Sequence, residues 1–201
     1  LTSLSLGMSM TTSDHINCSL IDVKNNNVEQ IYVVPVSSTP YNTLVRQWRY
    51  IFKLETEPTY ADVNQVDTQG VMFLETISDN IYAKKIILDY AKEISTEEKN
   101  EVLIIIAHGP LDSNDNEKEL VIMDNIGKYI MDNTEFDTVR SFTLQDDAGK
   151  EIRDKNVSMI SDFINNANNN GKKVLMVSNL MSGKGIQRSI QKDFEGLDYT
   201  F

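Results

Sequence analysis

The chain has 201 residues, 40% of them hydrophobic and 24% charged, enough for one large domain or two small lobes with real cores. A net charge of −11 argues against a non-specific nucleic-acid binder, which needs a basic face to displace counterions. The single cysteine, Cys18, rules out an intrachain disulfide, and no apolar run approaches the ~20 residues of a membrane span. No signal peptide is visible at Leu1, and the expected location is cytoplasmic.

Along the chain, a weak strand over Leu4–Met8 leads into a helix carrying His15. Next comes an apolar run, Ile31 to Val36, read as a strand. Leu44, Trp48, Ile51 and Phe52 form a helical stripe, while residues 53–75 show no clear element. Ala83, Ile87, Tyr90 and Ile94 repeat at helical spacing, with Ser78 or Asp79 as the expected N-cap. The clearest strand is Val102 to Ala107, a continuous apolar run rich in β-branched residues, which suits burial on both faces of a parallel sheet. A helix precedes a weaker strand over Val139 to Leu144. Val157, Ile160, Ile164 and Ala167 mark another helix, stopped at Asn168 to Gly171. Val174 to Val177 reads as a strand, and Ile186, Ile190 and Phe194 as a last helix closed by Gly196. Alternating strands and helices predict βαβ units and parallel sheets.

The two halves share one order of elements. Ile31 to Val36 with Arg46 and Gln47 parallels Val174 to Val177 with Gln187 and Arg188, and Asn25–Asn27 parallels Asn168–Asn170. The second half also has a strand at Val102 and a helix before Val139 with no counterpart in the first. By repeat logic, about 40 residues of the natural protein are expected to precede Leu1. The expected lobes are residues 1–95 and 96–201, and residues 102–107, 139–144 and 174–177 should be neighbouring parallel strands, with 31–36 in a separate or opposing sheet.

His108 is the sharpest chemical candidate. It follows a buried strand directly, at the carboxyl edge where open α/β sheets hold their ligands, and Gly109 permits a tight turn. An imidazole suits Co, Ni, Fe or Zn, or accepts a proton. Asp112, Asp115, Asn116 and Glu117 follow, as caps of the next helix or as oxygen ligands. The competing reading is a turn histidine bonded to nearby backbone. His15 matches no motif and reads as surface or core-edge. A hydrolase elbow is absent, and Gly183-Lys184 lacks the spacing of a phosphate-binding loop.

Ile104 to Pro110 with Asn114–Glu117 resembles the opening strand and loop of the second lobe in long, sirohydrochlorin cobaltochelatase-like members of the class II tetrapyrrole chelatases. Thr143 to Ala148 followed by Val157 resembles that lobe's second βα unit, and Gly185-Ile186 with Phe194 to Tyr199 its closing helix and tail. In the first half, Pro35 to Ser38 with Arg46-Gln47 resembles the corresponding loop. The resemblance implies two flavodoxin-like α/β lobes with parallel sheets and a cleft between them. It also implies insertion of a divalent metal, Co2+ or Fe2+, into a sirohydrochlorin-type tetrapyrrole, as in cobalamin biosynthesis. The metal is a substrate and no organic cofactor is needed; the expected partner is the tetrapyrrole, with no nucleic acid and no membrane. His108 would bind metal or take a pyrrole proton, with Asp112 and Asp115 helping to desolvate the ion. Arg46, Lys184 and Arg188 would grip the substrate's carboxylates. The chain departs from the family pattern at Thr39-Pro40 and at Leu180–Gly185, where relatives carry further histidines. A degenerate, non-catalytic module that binds metal or tetrapyrrole is the alternative.

Overall fold

The computed structural model describes residues 3–7, 11–179 and 186–201. The chain divides into two compact units, Leu1–Thr76 and Ile77–Phe201.

The first unit holds α1 (Asp14–Lys24), β1 (Ile31–Val33), α2 (Thr43–Ile51) and β2 (Val71–Phe73). Its two strands pair in parallel, Ile31 opposite Val71 and Tyr32 opposite Met72. β1 is shorter than its apolar run, because Pro35 has no N–H to give a ladder. Leu74 N still reaches Val33 O at 2.8 Å before the strands part. Ile31 packs with Ile16 and Leu20 of α1, Tyr50 and Ile51 of α2, Phe52 and Val66. Asn42 caps α2, its side chain accepting from Leu44 N. β2 follows Gly70 and was not anticipated, since three apolar residues are too short a run to show a period. The weak strand expected at Leu4–Met8 does not form over residues 3–7, where Leu4 and Leu6 are exposed.

The second unit contains α3 (Ile81–Ile94), β3 (Glu101–Ala107), α4 (Ser113–Met131), β4 (Thr138–Thr143), α5 (Lys150–Asn169), β5 (Lys173–Ser178) and α6 (Ile186–Asp193). The sheet order is β4-β3-β5, all parallel, as the sequence pattern predicts. Every residue of β3 is buried. Leu103, Ile105 and Ala107 face α3 and α4; Val102, Ile104 and Ile106 face α5 and α6. That is why the run reads as continuous rather than alternating. Each such side chain contributes roughly 1.5–3 kcal/mol of burial. The tail returns along β5, where Met176 N donates to Thr200 O and Thr200 N to Val174 O.

α3 differs from expectation in three ways. Its N-cap is Asn80, which accepts from Tyr82 N and Ala83 N, because Ser78 sits at positive φ and Asp79 pairs with Lys84. Its buried face is Ala83, Ile87, Leu88 and Ala91, leaving Tyr90 exposed. These residues pack into the core beside β3 and β5, so by compactness α3 belongs to the second unit and the boundary falls at Thr76 rather than residue 95.

Candidate functional site at the carboxyl edge of the second sheet

β3 ends at Ala107, and His108 begins the turn into α4. β4 runs parallel beside it and keeps pairing past its own end: Leu144 N donates to Ala107 O at 3.0 Å, and Asp146 N to His108 O at 3.2 Å. The exits of two neighbouring strands are therefore held side by side. Gly109 has φ +76°, and a Cβ there would meet the Thr143 Cβ at 2.8 Å, so both conformation and space require glycine. Gln145, itself at φ +49°, is buried and donates through Nε2 to Pro110 O at 3.2 Å. Asn156 of α5 donates to Leu144 O at 3.1 Å. The two turns thus brace each other.

Half-buried His108 has Nδ1 3.0 Å from Gly109 O. A carbonyl only accepts, so Nδ1 carries the proton and, in the neutral ring, Nε2 keeps its lone pair outward. Nε2 lies 3.7 Å from Asp146 Oδ2 and 3.9 Å from Asp147 Oδ1. The other oxygen of Asp146 accepts from Arg153 Nε of α5 at 2.6 Å, and Arg153 Nη2 donates to Asp193 Oδ2 of α6 at 2.7 Å. Hydrogen bonding to Asp146, then to Asp193, raises the pKa of the Arg153 guanidinium and outweighs its desolvation. An incoming cation or proton at Nε2 would thus meet a lone pair backed by two carboxylates.

The expected oxygen ligands are placed differently. Asp112 is the N-cap of α4, its carboxylate accepting from Asp115 N at 3.0 Å. Asp115 is nearly buried and pairs with Lys118 at 2.9 Å. Among the described residues, no group of three or more His, Cys, Asp or Glu side chains is arranged to hold a metal ion. Neither His108 with Asp112 and Asp115 nor His108 with Asp146 and Asp147 forms such a group; Asp112 caps α4, Asp115 pairs with Lys118, and the acids beside the imidazole are Asp146 and Asp147. Their signal was present in the sequence, two aspartates just past the end of a strand in a parallel sheet, but Asp146-Asp147 read only as part of a βα unit.

Of the basic residues, Arg46 is half-buried on α2 in the first unit and Arg188 is exposed on α6 in the second. Lys184 lies outside the described residues. His15 is exposed on α1, as expected of a surface residue. No helix among the described residues is long and apolar enough to cross a membrane.

No protein-family model matches the chain, and no curated protein does. A solved structure does match: SirB from Bacillus subtilis with Fe3+, at a TM-score of 0.60 and 14% identity, over 89% of this chain and 63% of that one. The chain therefore spans under two thirds of the structure it matches. At this identity the likeness shows the fold: an α/β architecture with two small parallel sheets, similar to that of the SirB structure.

Proposed function

We propose that the chain receives a divalent metal, Co2+ or Fe2+, as a substrate at His108 and inserts it into a sirohydrochlorin-type tetrapyrrole. The observation that carries this reading is the facing of His108 Nε2 and Asp146 Oδ2 across 3.7 Å at the carboxyl edge of the sheet. Ligands of open α/β sheets bind at that edge. The SirB structure that shares this fold carries Fe3+, which fits a metal cargo. One imidazole and flanking carboxylates suit transient capture of an ion on its way to stronger nitrogen ligands. Insertion frees two pyrrole protons; a lone pair at Nε2 is placed to hold one of them, and the other passes to a carboxylate beside it, Asp146 or Asp147, or to water. Arg46, Lys184 and Arg188 are the cations assigned to the substrate's carboxylates, and Asp112 and Asp115 support the first turn of α4 behind the histidine. The two compact units, Leu1–Thr76 and Ile77–Phe201, act in this reading as the two chelatase-like lobes.

The test is Co2+ titration of wild type and His108→Ala, with insertion into sirohydrochlorin followed by absorbance. His108→Ala is expected to lose at least about tenfold in Co2+ affinity while keeping its fold, and to lose insertion. Equal Co2+ binding by both proteins removes His108 from the site. The second reading, a module that binds metal or tetrapyrrole without catalysis, is favoured by one fact: among the described residues no group of three or more His, Cys, Asp or Glu side chains is arranged to hold a metal ion. Binding without insertion selects it.

A further inference from the structure

Arg153 lies in the first turn of α5, and its guanidinium joins segments distant in sequence. Nε takes Asp146 in the turn after β4, and Nη2 takes Asp193, the last residue of α6. The three side chains are each about a quarter exposed or less, so solvent screens them only in part. The two oxygens of a carboxylate are equivalent, so what counts is that Arg153 occupies one oxygen of Asp146 while the other faces the imidazole. Rotation about the last torsion of an aspartate is soft and roughly two-fold. A charge-assisted bond on Oδ1 fixes the plane of the carboxylate and leaves Oδ2 as the oxygen that looks at His108 Nε2.

The geometry points to Arg153 as a positioning residue: it sets the Asp146 carboxylate against His108, and through Asp193 it makes that setting depend on α6. This rests on the reading of His108 as the metal-receiving group. α6 also carries exposed Arg188, so a ligand that engages the helix acts on an anchor of the clamp. Substrate grip and the placement of the Asp146 carboxylate are then linked through one guanidinium.

The test compares wild type with Arg153→Gln, Arg153→Lys and Asp193→Asn in the full chain. Two readouts are needed, Co2+ affinity followed in the visible band and the ring resonances of the two histidines in metal-free protein. Arg153→Gln should weaken Co2+ by about tenfold, the usual scale for a residue that orients a ligand. His108 resonances should move while those of His15 stay. Arg153→Lys should recover part of the affinity, and Asp193→Asn should act in the same direction by less. In an Asp146→Asn background, Arg153→Gln should have no further effect on Co2+. Unchanged affinity together with unmoved His108 resonances overturns the inference, as does an equal loss in the Asp146→Asn background. If wild type binds no Co2+, the metal reading fails by itself, and the His108 resonances still decide whether Arg153 positions its neighbour. If Arg153→Gln does not fold, Arg153→Lys and Asp193→Asn carry both readouts.

Discussion

The two units use the same parallel pairing and stabilise it by different means. β3 in the second unit is buried along its whole length between two strands and two layers of helices. β1 in the first unit is three residues long and has one apolar face turned in, Ile31 and Val33, and one turned out. Tyr32 and Met72 form a cross-strand pair that is 60% and 50% exposed, and Val34 beyond them is 64% exposed. What apolar packing supplies in the second unit, a buried amide partly supplies in the first. Gln47 is fully buried; its Oε1 accepts from Thr59 N and Tyr60 N at 2.9 Å, and its Nε2 donates to Ala61 O at 2.8 Å and Thr11 O at 3.2 Å. That one side chain ties the irregular stretch after α2 to the helix. A hydrophobic sheet closed on both faces gives a rigid edge, and the candidate site stands on that edge rather than on the polar-stapled unit.

The largest effect expected from this contrast is in the central strand. Ile105→Ala removes a fully buried side chain between α3, α4 and two strands, with nothing able to collapse into the space. It should cost about 3–5 kcal/mol by urea denaturation. A cost under about 1 kcal/mol would mean that β3 is not the organising element of the second unit.

A smaller, pH-dependent effect comes from the same core. Glu119 lies on the buried face of α4, one turn before Met123, and its Oε2 has no hydrogen-bond partner among the described residues. Burial pushes its carboxyl up to about 7 from 4.5. The sign follows from proton uptake. Between those values the folded protein keeps a proton that the unfolded chain has lost, so stability falls as pH rises through that window. The full shift corresponds to roughly 3 kcal/mol. Glu119→Gln should leave stability at pH 4 little changed and raise it by about 2 kcal/mol at pH 8, since the amide keeps shape and removes charge. Urea midpoints at both pH values decide it; an equal change at both would show that the carboxyl is not held in its neutral form.

Much of the second unit was legible because its elements obey simple periods. The β-branched run at Val102, the stripe Ile160, Ile164 and Ala167, and the closing pair Ile190 and Phe194 are all buried as their spacing predicts. The first unit was harder. A three-residue strand such as β2 carries no period, and the stretch between α2 and β2 is held by side chain to backbone bonds that leave no pattern in composition. His108 was legible by its place after a strand. Asp146 carried a signal of the same kind, two aspartates just past a strand end, but its bridge through Arg153 to Asp193 forms only when β4, α5 and α6 converge, and no spacing along the chain encodes that. Sequence proximity pointed instead to Asp112, which caps α4, and Asp115, which pairs with Lys118.

The smallest effect tests the open side of the comparison. Successive residues of a strand point to opposite faces, so β1 contains its own control. Ile31 packs on α1 and α2, whereas Tyr32 stands opposite Met72 in the ladder on an exposed face. An exposed cross-strand pair contributes roughly 0.2–1 kcal/mol. Threonine keeps β-propensity and removes the ring. Tyr32→Thr should therefore change stability by no more than about 0.5 kcal/mol, while Ile31→Ala costs about 2 kcal/mol or more. Urea denaturation of the two variants side by side reads the difference. A loss above about 1.5 kcal/mol for Tyr32→Thr would mean that this face is covered in solution, and the first sheet would then share the two-sided burial of the second.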